Sequence, residues 1–185
     1  MNEAALRLLL EQVRAGELAI EGAVSQLREL PFRALGEAVL DSHRELRCGY
    51  PEVIYCAGKT VAQVRTIVAA MLEGGGDVLA TRATAEMAAA VMELCPETRY
   101  NLLGRTLVIQ RRIRPLTETS IAIVTAGTSD LPVAEEAAET ALLFGNRVER
   151  INDVGVAGLH PLGARTHRLR GARHVIGPAR TQAPA

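Results

Sequence analysis

The sequence has no tryptophan, and aromatic residues make up only 3% of its 185 residues. A hydrophobic fraction of 48% is nevertheless ordinary for a globular protein, so Ala, Leu and Val must supply most of the core. Small aliphatic side chains of this kind suit helices that pack on a parallel β-sheet. The length allows one large domain or two small ones.

The sequence also lacks an excess of either charge, because 21 basic and 21 acidic residues cancel. No overall field therefore attracts nucleic acid or an anionic membrane, and any anion must be bound by a local site. No apolar run approaches the roughly 18 residues that span a bilayer. The N-terminus has Glu3 where a signal peptide has basic residues, so we expect a soluble protein without a membrane partner.

Cysteine is scarce, since Cys48, Cys56 and Cys95 are the three present and they form no CxxC pair. An odd number of cysteines without this spacing fits a disulfide framework poorly and favours a reducing compartment. The cytoplasm is therefore the expected location. Because Cys56 and Cys95 have no obvious base beside them, we interpret them as small buried hydrophobic residues rather than nucleophiles.

The periodicity of apolar residues predicts an α/β protein made of four segments. These are a helical segment at 1–48, a β-α-β region at 49–116, an incomplete doubly wound parallel sheet at 117–162 and a basic tail at 163–185. In the tail only Val175 and Ile176 resemble the core of a strand. Because the tail is rich in Arg, Gly and Pro, we expect much of it to be disordered.

Three helices are predicted in the first segment, because apolar residues recur there at helical spacing. Their apolar positions are Leu6, Leu9, Leu10 and Val13, then Ile20, Ala23, Val24 and Leu27, then Leu35, Ala38, Val39 and Leu46. Gly16 ends the first helix and Pro31 follows the second. Gly49 and Pro51 end the third.

In the second segment, short β-rich runs alternate with helical patterns. Strands are predicted at 52–56, 77–81 and 107–113, and helices at 60–72 and 83–94. This alternation predicts a parallel sheet with right-handed crossovers. The residues Arg111, Arg112, Arg114 and Pro115 are then expected in an exposed connector.

The third segment has the clearest pattern. Residues 121–124 read Ile-Ala-Ile-Val, a continuous apolar run that is typical of a buried parallel strand. A turn at 126–130 leads into a predicted helix at 133–144 and a second strand at 148–151. This β-loop-α-β order is the beginning of a doubly wound sheet.

The turn contains Gly127, Thr128, Ser129 and Asp130, directly before a predicted helix. Unpaired backbone N–H groups and the helix dipole favour a bound phosphate at such a place, and the two hydroxyls add donors. Asp130 would repel phosphate, so its expected role is to accept hydrogen bonds from ribose hydroxyls or to cap the helix. The alternative, that Ser129 and Asp130 are helix caps only, is equally compatible with the sequence.

His160 follows the second strand of this unit through a run of small residues. Ligands collect at the carboxyl ends of strands in open α/β sheets, so His160 is a candidate for proton transfer beside the turn. The alternative is a histidine at a surface corner. His160, His167 and His174 recur every seven residues, but Pro161, Gly163 and Gly171 interrupt any helix that would align them, so no metal site is predicted.

Polar residues also surround the first β-α-β unit. Arg82 follows a predicted strand end, which places it with the ligand-facing loops, and Lys59 begins a helix after Gly58. The spacing around Lys59 lacks the glycines of a Walker motif. Lys59, Arg82 and Asp153 are therefore candidates to face a substrate, with solvated surface charge as the alternative.

Two stretches resemble one known family. They are IAIVTAGTSDLPVAEEAAETALLFGNRVERINDVGVAGLH at 121–160 and DSHRELRCGYPEVIYCAGKT at 41–60, followed by TRA at 81–83. Over residues 1 to about 162 the sequence resembles the nickel-pincer cofactor biosynthesis LarB family, whose C-terminal part has the PurE-like fold of aminoimidazole ribonucleotide carboxylases. The resemblance implies that Thr128, Ser129 and Asp130 hold a ribose phosphate and that His160 lies at the active site.

The resemblance also implies a reaction. A LarB-like enzyme carboxylates the pyridinium ring of nicotinic acid adenine dinucleotide and cleaves its phosphoanhydride, giving the biscarboxylated mononucleotide and AMP. Carbon dioxide or bicarbonate is the implied co-substrate, no tightly bound cofactor is implied, and Mg²⁺ is left open. An incomplete sheet with exposed edges favours a homo-oligomer.

The sequence departs from the family in its last part. Family members continue through a glycine-rich loop, a further strand and helix, and a cysteine nucleophile, and they usually have Arg where this chain has Pro161. We therefore expect an incomplete PurE-like domain that does not turn over alone. Two alternatives stay open, namely a purine-pathway carboxylase or mutase that acts on an imidazole ribonucleotide, and a non-catalytic nucleotide-binding or assembly subunit.

Overall fold

The computed structural model of the protein describes residues 3–28, 32–35, 38–41, 44–152 and 172–177. These residues form an α/β structure whose larger sheets contain parallel strands, which confirms the predicted fold class. In this part of the chain, no helix has the length and apolar character needed to cross a membrane.

The N-terminal segment begins with the two predicted helices, α1 (Glu3–Arg14) and α2 (Ile20–Arg28). The predicted third helix is wrong over most of its length. The chain instead forms strands β1 (Phe32–Leu35) and β2 (Ala38–Asp41), which pair antiparallel, and only the short helix α3 (Arg44–Cys48) follows. Three apolar residues at helical spacing are too few to distinguish a helix from a short hairpin, and Gly36 between them disfavours a helix.

The first large sheet has the strand order β3-β4-β6-β5. Its elements in chain order are β3 (Val53–Tyr55), α4 (Val61–Glu73), β4 (Val78–Thr81), α5 (Ala85–Leu94), β5 (Arg99–Asn101) and β6 (Thr106–Ile109). β3 and β4 are parallel, as predicted, but β6 runs antiparallel to both β4 and β5. The loop at 102–105 between β5 and β6 is too short for a parallel crossover, so a hairpin forms.

Helices α4 and α5 cover one face of this sheet. Val64 and Val68 of α4 and Val91 of α5 are fully buried against Leu107 and Ile109 of β6. Both helices begin at a threonine cap on the carboxyl side of a strand: Thr60 forms a capping box with Gln63, and Thr84 accepts from the N–H of Met87. The capped helix starts fix the loops that follow β3 and β4.

The second large sheet has the strand order β8-β7-β9, and its three strands are parallel. Its elements are β7 (Ser120–Val124), a 3₁₀ turn (Thr128–Asp130), α6 (Leu131–Leu143), β8 (Arg147–Ile151) and β9 (Ala172–Ile176). The β-loop-α-β unit is confirmed, and α6 begins two residues earlier than predicted because Pro132 is tolerated in its first turn.

Within the predicted tail, residues 172–176 form the strand β9, which contains Val175 and Ile176, the two residues that resembled the core of a strand. The backbone of this segment pairs with β7, with Val175 opposite Ala122 and Ile176 opposite Ile123. Arg173 and His174 stay exposed, so the strand shows little of the apolar pattern that predicts a strand. The rest of the predicted tail lies outside the described residues.

Helix α6 lies between the two large sheets. Ala134 and Ala138 pack against Ile123 of β7, while Leu143 packs against Leu79 of β4 and Val108 of β6. Near the start of α6, Glu136 contacts Arg82, which directly follows β4. The helix therefore runs antiparallel to both β4 and β7, so the carboxyl ends of these two strands lie at the same end of the protein, here called the shared end.

The connector between the sheets is held by acidic side chains rather than exposed throughout. Asp77 accepts from the N–H groups of Arg111 and Arg112 at 2.7 and 3.0 Å. Glu45 pairs with the guanidinium groups of Arg112 and Arg114 at 2.9 and 3.1 Å. The expectation of an exposed connector is thus wrong for Arg112 and Arg114, which are half-buried where they pair with these carboxylates.

Candidate functional site

The predicted phosphate turn joins the carboxyl end of β7 to α6. Gly127 is extended, with φ −160° and ψ 174°, and the 3₁₀ turn closes with the Asp130 N–H donating to the Gly127 carbonyl at 3.1 Å. Thr128 and Ser129 are exposed. A Cβ placed on Gly127 would meet no atom within 4 Å, so packing does not close the turn.

Three successive peptide N–H groups in this turn are available to a ligand. Those of Gly127, Thr128 and Ser129 donate no hydrogen bond to any residue that the structure describes. They lie just before the N-terminus of α6, where the helix dipole is positive. A row of backbone N–H groups at a helix start is a favourable place for an anion.

Asp130 braces the turn from within. Its side chain is buried, with 9% exposure, and Oδ2 accepts from the Ala126 N–H at 3.3 Å. The carboxylate makes no capping hydrogen bond to the start of α6. Of the two roles that the sequence suggested, capping is therefore absent from this geometry, and the contact with ribose stays a prediction.

Two polar residues at this edge were not singled out from the sequence. Thr125 is fully buried, its N–H donates to the Ile151 carbonyl at 3.0 Å, and its hydroxyl donates to Oδ1 of Asn152 at 3.4 Å. These bonds tie the start of the turn to the end of β8. The available signal was that each polar residue directly follows a strand.

The strand order places the turn at a topological switch point. The chain passes from β7 to β8 on one side and returns to β9 on the other, and Gly177 after β9 lies beside the end of β7. A Cβ on Gly177 would be 3.6 Å from the Val124 carbonyl oxygen. Ligands of doubly wound sheets bind in the crevice at this point. Asp153 and His160 lie outside the described residues, so their roles stay predictions.

Lys59 and Arg82 lie at the carboxyl edge of the first large sheet. The Lys59 N–H donates to the Cys56 carbonyl at 3.0 Å, and the Cys56 N–H donates to the Thr81 carbonyl at 2.9 Å. Nε of Arg82 is 2.5 Å from Oε2 of Glu136 on α6. The structure thus places Arg82 at the shared end, on the other side of α6 from the sheet that bears the turn.

The cysteines fit the prediction of buried hydrophobic residues at two positions. Cys56 and Cys95 are 1% and 4% exposed, whereas Cys48 is exposed. Burial raises the pKa of the Cys56 thiol to about 11, and the charge of Lys59 opposes this shift. At neutral pH Cys56 is therefore a protonated thiol and a poor nucleophile. Over the described ranges no group of three or more His, Cys, Asp or Glu side chains is arranged to hold a metal ion.

Comparisons with known proteins agree with this architecture. Residues 32–112, which contain the first large sheet, match the family model described as the LarB/PurE-like N-terminal domain. An uncharacterized protein of Methanocaldococcus jannaschii is 31% identical over 169 residues, which make up 85% of this chain. The chain spans 64% of the length of that relative. The turn at 127–130 lies beyond the region matched by the family model.

Proposed function

We propose that the protein binds nicotinic acid adenine dinucleotide as part of a LarB-like synthase, since residues 32–112 match the LarB/PurE-like N-terminal domain. In this proposal, the turn Gly127–Asp130 holds the ribose phosphate of the nicotinate half. Thr128 and Ser129 donate to phosphate oxygens, and Asp130 accepts from ribose hydroxyls. In the same proposal, the protein acts in the cytoplasm.

The single observation that carries this proposal is the row of amides at Gly127, Thr128 and Ser129. They are consecutive, they have no hydrogen-bond acceptor among the described residues, and they open beside the start of α6. Electrostatic attraction and directed donors then act on the same ligand group, as in other phosphate sites at helix N-termini. Neighbouring hydroxyls of Thr128 and Ser129 extend the donor set.

The proposed chemistry is a carboxylation followed by a hydrolysis. A nucleophile adds to the electron-poor pyridinium ring, the resulting electron-rich ring carbon bonds to carbon dioxide, and loss of the ring proton and of the nucleophile restores the aromatic ring. Water then cleaves the phosphoanhydride and releases AMP. We assign proton transfer to His160 and substrate contacts to Lys59, Arg82 and Asp153.

Self-association is part of the same proposal. Among the described strands, β8 and β9 each have one neighbour in the second large sheet, so each presents an edge. Edges of this kind favour pairing with another chain.

The test is calorimetric titration of the protein with nicotinic acid adenine dinucleotide. Ser129→Ala removes a hydroxyl donor from an exposed position, and Gly127→Ala adds a methyl group that meets no protein atom but would meet a bound phosphate. Each should weaken binding about tenfold or more, as expected for a lost hydrogen bond to a charged group. Ser120→Ala, at the opposite end of β7, is the matched control and should bind like the wild type.

Wild-type affinity in both turn variants would overturn the assignment of the turn. Preferential binding of an imidazole ribonucleotide would favour a purine-pathway carboxylase. Binding without release of AMP when bicarbonate is added would favour a non-catalytic nucleotide-binding subunit.

A further inference from the structure

The two N-terminal helices form a helical hairpin, residues 3–28, in which α1 packs on α2. The connection between them is short and well defined. Gly16 has φ 75°, and the Glu17 N–H donates to the Gln12 carbonyl at 2.9 Å. The hairpin precedes residues 32–112, so its role is not covered by the match to the family model.

The hairpin buries little apolar surface of its own. Leu9 and Ala23 are buried, and neither belongs to the apolar clusters that form the cores of the two large sheets. Chains of fewer than about 40 residues seldom form a stable core without a further constraint such as oligomerisation. A hairpin of this size therefore gains stability from a partner that covers more of its apolar surface.

Each helix of the hairpin has a second apolar face, which is uncovered. Leu10 is exposed, and it lies about 100° around α1 from the buried Leu9. In the same way Val24 is exposed next to the buried Ala23, and Ile20, one turn before Val24, is exposed as well. Each helix of a four-helix bundle contacts two neighbours, on faces about a quarter-turn apart. The hairpin thus presents the surface of half a four-helix bundle.

The charges of α1 indicate that the partner is a second copy of the same hairpin. Four exposed charged residues lie along one face of this helix, beside Leu10: Glu3, Arg7, Glu11 and Arg14. When two α1 helices cross antiparallel about their midpoints, Glu3 of one copy lies opposite Arg14 of the other. Arg7 then lies opposite Glu11. A parallel pair would instead place each charge opposite an identical charge.

From this pattern we infer that the hairpin is a dimerisation element, in which the hairpins of two copies form a four-helix bundle around a two-fold axis. Leu10, Val24 and Ile20 fill its centre, and the charges of α1 set the antiparallel direction. Arg7 contacts Glu3 of its own helix at 2.7 Å, and its remaining donors can bind a second carboxylate. The dimer uses neither the phosphate turn nor the edges of β8 and β9, so it goes beyond the proposed function.

The first test is the mass of the whole chain in solution, measured by sedimentation velocity over a range of concentrations. The wild type should form assemblies with an even number of copies. Leu10→Asp places two carboxylates in the centre of the bundle, so it should raise the Kd of the pair about a hundredfold or more and dissociate the assembly to half its mass.

Leu8→Asp is the matched control for Leu10→Asp. The two leucines are similarly exposed, at 57% and 55%, but Leu8 lies on the opposite side of α1, about 160° from Leu10. Leu8→Asp should therefore keep the mass of the wild type.

A second test separates pairing between copies from the stability of α1. Arg7→Glu places two acidic residues opposite each other in the antiparallel pair, and Glu11→Arg places two basic residues opposite each other. Each variant alone should dimerise about tenfold more weakly than the wild type, since two symmetric ion pairs are lost. An equal mixture of the two should regain the affinity of the wild type, because opposite charges again face each other between unlike copies. Mixing cannot repair a helix that a substitution destabilises.

The dimer is rejected if the wild type is monomeric at every concentration, if Leu8→Asp dissociates the protein as much as Leu10→Asp does, or if the mixture of charge variants dimerises as weakly as either variant alone. If Leu10→Asp lowers the free energy of unfolding without changing the mass, the apolar face packs on the protein's own chain, and the dimer is rejected as well.

Discussion

The buried thiol of Cys56 should make the free energy of unfolding fall as the pH becomes alkaline. Burial raises the pKa of Cys56 from 9.0 to about 11, so the folded state holds this proton more tightly than the unfolded state. The resulting stabilisation is complete below about pH 9 and is lost as the pH rises toward 11. A shift of this size corresponds to about 2 to 3 kcal/mol.

The prediction is tested by urea unfolding of the wild type and Cys56→Ala at several pH values between 7 and 11. The free energy of unfolding of the wild type, relative to that of the variant, should fall by about 2 kcal/mol across this range. Only the wild type has a buried thiol that must ionise. Other groups titrate in both proteins and cancel in the difference. A difference that does not change with pH would contradict the raised pKa.

At the scale of the residue, the sequence predicted those site residues that form a pattern. Gly127, Thr128, Ser129 and Asp130 could be found because they form a run of turn residues between a continuous apolar strand and a predicted helix. Thr125 and Asn152 were missed although each directly follows a strand, because a single polar residue at a strand end has no period. Only the parallel pairing of β7 with β8 brings these two side chains together.

At the scale of the element, the long helices and the apolar strands were predicted, whereas β1, β2 and β5 were not. The pattern of α4 extends over 13 residues, enough to repeat several times. β3, β4 and β6 are as short as these strands, but each is an apolar run. β5 reads Arg-Tyr-Asn and has no such run, and the apolar residues of β1 and β2 also fit helical spacing. The antiparallel direction of β6 could be derived only from the length of the loop before it, since side-chain alternation is the same in both directions.

The loop between β5 and β6 yields a prediction about how α6 packs. A Cβ on Gly104 would lie 3.0 Å from the backbone N of Glu136 and 3.1 Å from the backbone C of Glu135. Neither atom can move without shifting the helix, so Gly104→Ala should lower the free energy of unfolding by about 1 to 3 kcal/mol. Chemical denaturation measures this difference.

The control for Gly104→Ala is Gly127→Ala, whose added methyl group meets no atom within 4 Å. Gly127 is also extended, a conformation that alanine adopts freely. This variant should unfold within about 0.5 kcal/mol of the wild type. Equal stability of both variants would mean that α6 does not pack on the loop at the observed distance.

At the scale of the whole molecule, α6 links the two sheets through a row of acidic side chains. Glu135 pairs with Arg150 of β8, Glu136 with Arg82, and Glu139 with Arg99 of β5. In each pair the arginine stays partly exposed, so solvent screens the interaction and each pair contributes about 1 kcal/mol or less. Their main effect is therefore to fix the position of the helix, and with it the turn that precedes it.

The connector between the sheets gives the last prediction. Asp77 is 3% exposed, and one of its oxygens accepts from the N–H groups of both Arg111 and Arg112. Asp77→Ala leaves these two donors without their acceptor, and it removes the carboxylate that lies 3.7 Å from Nε of Arg114. The free energy of unfolding should fall by about 2 to 4 kcal/mol.

Asp77→Asn keeps an acceptor oxygen and should lose less stability than Asp77→Ala, which separates the hydrogen bonds from the charge. Glu97→Ala removes an exposed carboxylate that pairs with the same connector through Arg111, and it should cost less than about 0.5 kcal/mol. If Asp77→Ala were as mild as Glu97→Ala, the connector would not be held by the buried carboxylate. The arrangement of the two sheets would then depend more on α6, whose contacts also link them.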